Sequence, residues 1–67
     1  MDKQVFQHFI GLKWGTQVTE EHLKHVNKSV RIVRVLTPHS IMTMDLRHDR
    51  ANVFIEEDKT IINITMG

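Results

Sequence analysis

The densest run of chemically capable side chains lies in SIMTMDLRHDRANVFI, residues 40–55, where Asp45, Arg47, Asp49 and Arg50 fall within six positions. His48 beside Asp49 has the makeup of a base and its orienting acid. No serine or cysteine nucleophile motif accompanies the pair, and the chain has no Cys at all, so nucleophilic catalysis lacks its central group. His22 and His25 stand three apart beside Glu21. That spacing can hold a metal on a helix, but no third ligand has a clear position. Arg31 and Arg34 with Lys13 and Lys28 make a basic group without interleaved aromatics, and the net charge of +1 exerts little pull on nucleic acid or an anionic membrane. The expectation is therefore a non-enzyme with no metal, no cofactor, and neither a nucleic-acid nor a membrane partner. What remains is Met42 and Met44 beside the charged run. A methionine is long, flexible and apolar, and it fills a partner's pocket as readily as a core. The charges beside it are an ordinary solvated cluster or a hydrogen-bonded support.

The elements that must position these residues are short. Val30–Leu36, VRIVRVL, is β-branched and near-continuously apolar, which predicts a strand in an interior position of a small sheet. Ala51–Ile55 is a second strand, with Ala51, Val53 and Ile55 on one face and Asn52 and Phe54 on the other. Thr60–Met66 is a third, after the polar turn EEDK. A helix of about three turns precedes them. Thr16 or Thr19 can cap it, Glu20 and Glu21 suit its first turn, Lys24, His25 and Lys28 its exposed face and end, and Asn27–Ser29 its stop. Val18, Leu23 and Val26 are expected to share its buried face. Before the helix, Phe6, Phe9, Ile10 and Trp14 fit a short helical turn or an irregular arm that covers the core; Gly11 and Gly15 rule against a long helix. The fold class from these elements is α+β: one small domain, residues 1–67, with one helix packed on one face of a small sheet.

A chain of 67 residues is one domain, and it buries only about 60% of the surface its unfolded form exposes. Without Cys it must hold together by packing and hydrogen bonds. No apolar run is long enough to span a bilayer, and the opening MDKQVFQHFIG lacks the apolar core of a signal peptide. The odd feature is the connection between the first two strands, about residues 37–50, with one Pro and no Gly. Connections of that length are functional or disordered, and SIMTM is too apolar and β-prone for disorder. An ordered, exposed loop centred on Met44 is expected.

VLTPHSIMTMDLRHDRANVFI resembles the potato inhibitor I family of serine-protease inhibitors. The motif is Thr43-Met44-Asp45-Leu46-Arg47 followed by Arg50, which opens a strand. Arg50-Ala51-Asn52-Val53 looks still more like the related I78-type elastase and subtilisin inhibitors. Detailed likeness runs from about Val30 to Gly67; the earlier half matches in its order of parts. The resemblance implies a serine endopeptidase inhibitor, expected as a monomer, whose long exposed loop joins two parallel strands of a small mixed sheet. By position, Met44–Asp45 would be the scissile-type bond. Ile41, Met42 and Thr43 would fill non-primed subsites, and Leu46 and Arg47 primed ones. Arg50 would hold the loop from below through Thr43 or Asp45. Many plant members carry a second supporting Arg where this chain has Asn52, and Gly67 stands where the family's terminal carboxylate joins the support. The disulfide usual in I78-type inhibitors is absent. Met44 implies targets with an apolar primary pocket, of subtilisin, chymotrypsin or elastase type. The rival is a non-inhibitory protein-binding module on the same scaffold.

Overall fold

The computed structural model describes residues 6–40 and 47–67. A single 3₁₀ turn, Gln7–Phe9, leads to helix α1, Glu20–Val26, and then to strands β1, Ile32–Leu36, β2, Arg50–Ile55, and β3, Ile61–Met66. The sheet order is β1-β2-β3, with β1 parallel and β3 antiparallel to the central β2. This is the α+β domain that the hydrophobic pattern predicts, with the mixed sheet that the resemblance implies.

Helix α1 begins at Thr19, whose extended backbone starts the capped turn. His22 takes the place normally held by Glu or Gln in a capping box: its Nδ1 accepts the Thr19 N–H at 2.9 Å. Glu20 and Glu21 lie in the first turn and Lys24 and His25 in the last, as the helix dipole favours. The helix stops after two turns rather than three. Asn27 is extended, its carbonyl accepts from Val30 N and its side-chain oxygen from Ser29 N, so a local turn replaces further helix. The shared face also needs correction. Leu23 is fully buried, but Val26, the last helical residue, is 42% exposed, and Val18 is buried ahead of the cap.

The core holds Phe6, Val18, Leu23 and Val30 against Ala51, Val53, Ile55, Ile61 and Ile64. The helix thus packs on the face of β2 made by its alternate residues Ala51, Val53 and Ile55. Strand register puts Val33 and Val35 on that same face and Ile32, Arg34 and Leu36 on the other, beside Arg50, Asn52 and Phe54. That second face is also covered, since Leu36, Arg50 and Asn52 are all buried. β1 itself is half-buried along both faces, with Leu36 buried, yet it is an edge strand. Burial of faces, which its composition reports, is separate from the pairing of its edges, so the expected interior position is wrong; β2 holds it.

The N-terminal arm runs beside the start of β3. Gly11 N donates to Ile61 O at 2.8 Å, Ile61 N to Leu12 O at 2.8 Å, and Trp14 N to Lys59 O at 2.9 Å. Gly11 and Gly15 turn the arm with φ of 91° and 94°, values that cost glycine little. Phe6, 2% exposed, is core cover, as its spacing predicts.

The β2–β3 turn, residues 56–60, closes through Lys59 N to Glu56 O and Glu56 N to Thr60 O. Lys59 has φ of 73°, the left-handed region that disfavours a side chain by about 1 kcal/mol. Lys59→Gly is expected to stabilise the protein by up to about 1 kcal/mol, read as a higher urea midpoint; an unchanged or lower midpoint would show that the turn carries no strain. Lys13 ties the arm to this turn. Its Nζ bonds Asp58 Oδ2 at 2.8 Å and Thr60 Oγ1 at 2.8 Å. The Lys13 hydrogen bond, helped by Thr60, holds the Asp58 carboxyl well below the usual carboxylate range. The folded state therefore favours the ionised form. Its contribution to stability is complete above about pH 4, where an unfolded Asp is ionised, and is lost as pH falls toward the lower native value. Asp58→Asn should flatten the fall in stability below about pH 4, measured by denaturant titration at several pH values.

Candidate functional site

The connection from β1 to β2, residues 37–49, has far more chain than its task requires. Parallel register sets Ile32 level with Arg50, so the chain must return from Leu36 over about 13 Å. An extended segment of this length reaches more than about 40 Å.

Both footings of the connection are built. At its start, Pro38 pre-sets a turn in which Ser40 N donates to Thr37 O at 3.0 Å and Thr37 N to Ser40 Oγ at 2.9 Å. His39 Nε2 meets Glu57 Oε1 at 3.0 Å, an exposed pair of small energetic weight. At its end, the Asp49 carbonyl accepts both Arg31 N at 2.8 Å and Ile32 N at 3.1 Å, which locks it to the base of β1. Arg47 Nε donates to Asp49 Oδ1 at 3.3 Å. That bond engages the acid which the sequence sets beside His48.

Immediately after this footing lies a buried polar cluster. Arg50 and Asn52 are each only 4% exposed. Arg50 Nε donates to Gly67 O at 3.1 Å and Asn52 Nδ2 donates to the same oxygen at 2.8 Å. Gly67 N returns a bond to Arg50 O at 2.9 Å, and Asn52 Nδ2 also reaches Thr65 Oγ1 at 3.4 Å. The three residues singled out as support, Arg50, Asn52 and Gly67, are thus brought together where the long connection lands. A buried guanidinium is tolerable only when hydrogen-bonded, and this cluster supplies partners from the end of β3. Thr65 was missed by sequence reasoning; it becomes visible only through the register that pairs it with Asn52.

Of the proposed binding residues, Arg47 lies at the footing. Ile41, Met42, Thr43, Met44, Asp45 and Leu46 lie outside the described residues. Among the described residues, no group of three or more His, Cys, Asp or Glu could hold a metal, and no helix is long and apolar enough to cross a membrane.

The fold is shared with solved inhibitors. The elastase inhibitor AFUEI superposes with a TM-score of 0.72 at 24% identity, covering 98% of this chain and 90% of that one. The bitter gourd trypsin inhibitor gives 0.71 at 23% identity, covering 90% and 85%. A local match, 44% identical over 36 residues, links the chain to a Schizosaccharomyces pombe protein described as a probable Dol-P-Man:Man(7)GlcNAc(2)-PP-Dol alpha-1,6-mannosyltransferase. It covers 54% of this chain but only 7% of that protein. The sequence model of the peptidase inhibitor I78 family matches residues 1–67, the whole chain. Of the two inhibitor families that the loop motif resembles, this is the one matched, and the protein belongs to the peptidase inhibitor I78 family.

Proposed function

We propose that the protein inhibits serine endopeptidases by presenting residues 41–47 as a substrate-like segment, with Met44–Asp45 in the position of the bond to be cut. Family membership supports protease inhibition, and the fold is that of an elastase inhibitor and a trypsin inhibitor. The observation that carries the loop reading is the convergence of Arg50 and Asn52 on Gly67 at the foot of an over-long connection. A serine protease attacks an extended peptide held close to its nucleophile. An inhibitor can offer such a peptide and resist turnover if the segment is already fixed in the bound shape. Ordering a flexible segment costs roughly 0.5–1.5 kcal/mol per side chain, so fixing several in advance is worth orders of magnitude in affinity. It also holds the new termini together after any cleavage, which favours resealing of the bond.

Met44 enters an apolar primary pocket in this reading, which selects subtilisin-, chymotrypsin- or elastase-like enzymes over trypsin-like ones. Titration against one enzyme of each kind is expected to give stoichiometric inhibition of at least one apolar-pocket protease; none at micromolar concentration refutes the proposal. Met44→Lys should weaken that inhibition about tenfold or more, as a buried apolar side chain worth roughly 2 kcal/mol is replaced by a charge. It should also create inhibition of trypsin. An unchanged profile would place another residue in the primary pocket.

A further inference from the structure

Helix α1 is started by a side chain whose hydrogen-bonding role depends on pH. Thr19 N–H donates to His22 Nδ1 at 2.9 Å, and Thr19 Oγ1 lies 3.0 Å from the same nitrogen. A capping box usually places Glu or Gln at this third helical position, where the side chain accepts the N–H of the capping residue. Those acceptors keep their role at neutral pH. An imidazole nitrogen accepts only while it carries no proton. The bond from Thr19 N–H therefore requires the neutral tautomer with its proton on Nε2.

The groups around His22 pull in both directions. Glu20 and Glu21, in the same first turn, attract an imidazolium, although Glu20 also faces Lys24 at 3.9 Å. The helix N-terminus opposes it, because unpaired N–H groups make that end positive. His25 follows in the last turn. From the arm, the Phe9 ring stands 6.4 Å from the imidazole, tilted by 58°, too far for a strong cation–π attraction. His8, next to Phe9 in the 3₁₀ turn, is the titratable group of that element. Among the described residues, no charged side chain of the strands pairs with His22. The imidazole is exposed, so a proton reaches it freely. What protonation must change is the bond itself. A proton on Nδ1 faces Thr19 N–H donor against donor. The imidazolium can turn and donate to Thr19 Oγ1, but Thr19 N–H is still left without its acceptor.

We propose that His22 is a pH-sensitive latch on helix α1: the neutral imidazole closes the capping box, and protonation opens it. The turn so held joins the arm to the helix. Ahead of it, Val18 is fully buried and its carbonyl accepts Gly15 N at 2.7 Å; within the helix, Leu23 is fully buried. Histidine changes charge between about pH 5 and 8. The bond is made in full at the upper end of that range and is lost as the pH falls through it. Asp58 acts in a separate window, below about pH 4. The latch stands whether or not the protein inhibits a protease.

The test compares wild type with His22→Gln, which keeps an acceptor at the third helical position at every pH. His8, His25, His39 and His48 are common to both proteins, so their titrations cancel in the difference. Urea unfolding is measured from pH 8 to pH 5. The folding equilibrium constant of wild type relative to His22→Gln should fall about fivefold over that range, the effect of losing a capping bond of ~1 kcal/mol. Exchange of the Thr19 amide, corrected for its intrinsic dependence on pH, should speed up by a similar factor in wild type and not in the variant. At pH 8 the His22 Nδ1 nitrogen shift should be that of an unprotonated acceptor. A stability difference that is constant with pH overturns the proposal. So does one that favours wild type at low pH, which would show that Glu20 and Glu21 hold the imidazolium more strongly than the cap is missed. If His22→Gln does not fold, wild-type Thr19 exchange and the nitrogen shift decide: unchanged protection at pH 5, or a proton on Nδ1 at pH 8, overturns the latch.

Discussion

Under the proposed function, replacing Arg50 by alanine is expected to turn a slowly cleaved inhibitor into a substrate. The guanidinium is buried and donates to Gly67 O, which it shares with Asn52. A charge-assisted hydrogen bond at a buried site is worth roughly 1.5–3 kcal/mol. Its loss at the footing of the long connection should raise the rate of cleavage about a hundredfold, equivalent to ~2.7 kcal/mol. Part of the cost will appear as stability, because alanine leaves a void on the covered second face of the sheet. Arg50→Lys separates the two effects. Lysine fills the space and keeps the charge but lacks the planar fork, so its stability should be nearly restored while it is still cut faster than wild type. Time courses of intact protein under excess protease, set beside urea midpoints, decide the matter. An alanine variant that still inhibits and still resists cleavage would show that the Arg50–Gly67 cluster supports only the sheet.

The second large effect concerns the arm. Phe6→Ala should destabilise the protein by about 3–5 kcal/mol, the range for removing a fully buried aromatic side chain. Phe6 is 2% exposed and belongs to the same cluster as Leu23, Val53 and Ile64, although only a short 3₁₀ turn follows it. A domain of this size has a total stability of roughly 3–10 kcal/mol, so the single change consumes a third of it or more. Urea denaturation should show a midpoint shifted sharply down, or a variant already unfolded in buffer. A loss under about 1 kcal/mol would mean that the arm lies on the core without contributing to it. The sensitivity follows from the absence of any cysteine: no crosslink holds the arm, so the aromatic anchor, the backbone bonds to β3 and the Lys13–Asp58 pair must do so.

Much of this was legible in the order of residues. β-Branched runs mark three strands, a threonine with two glutamates marks the helix start, and glycines bound the arm. These signals are local, and local sterics and capping are written in neighbouring residues. The helix length and the place of β1 were not legible. Asn27 can end a helix or sit inside one, and the choice depends on the turn it makes toward Val30. An apolar strand reports that its faces are covered, whichever edge it occupies. The same distinction governs the site. The family resemblance carried by the sequence singled out Arg50, Asn52 and Gly67, and the sequence determined the residue types available between β1 and β2, Met44 beside Asp45 among them. Only the tertiary structure decided that Arg50 and Asn52 meet on one carbonyl oxygen, that Thr65 joins them, and that Arg34 faces Asn52 across the sheet. Those pairings join residues far apart in the chain, and they exist only once the register of three strands is set. The register in turn comes from burying alternate residues of β2 against Leu23 and Phe6, which no local signal states.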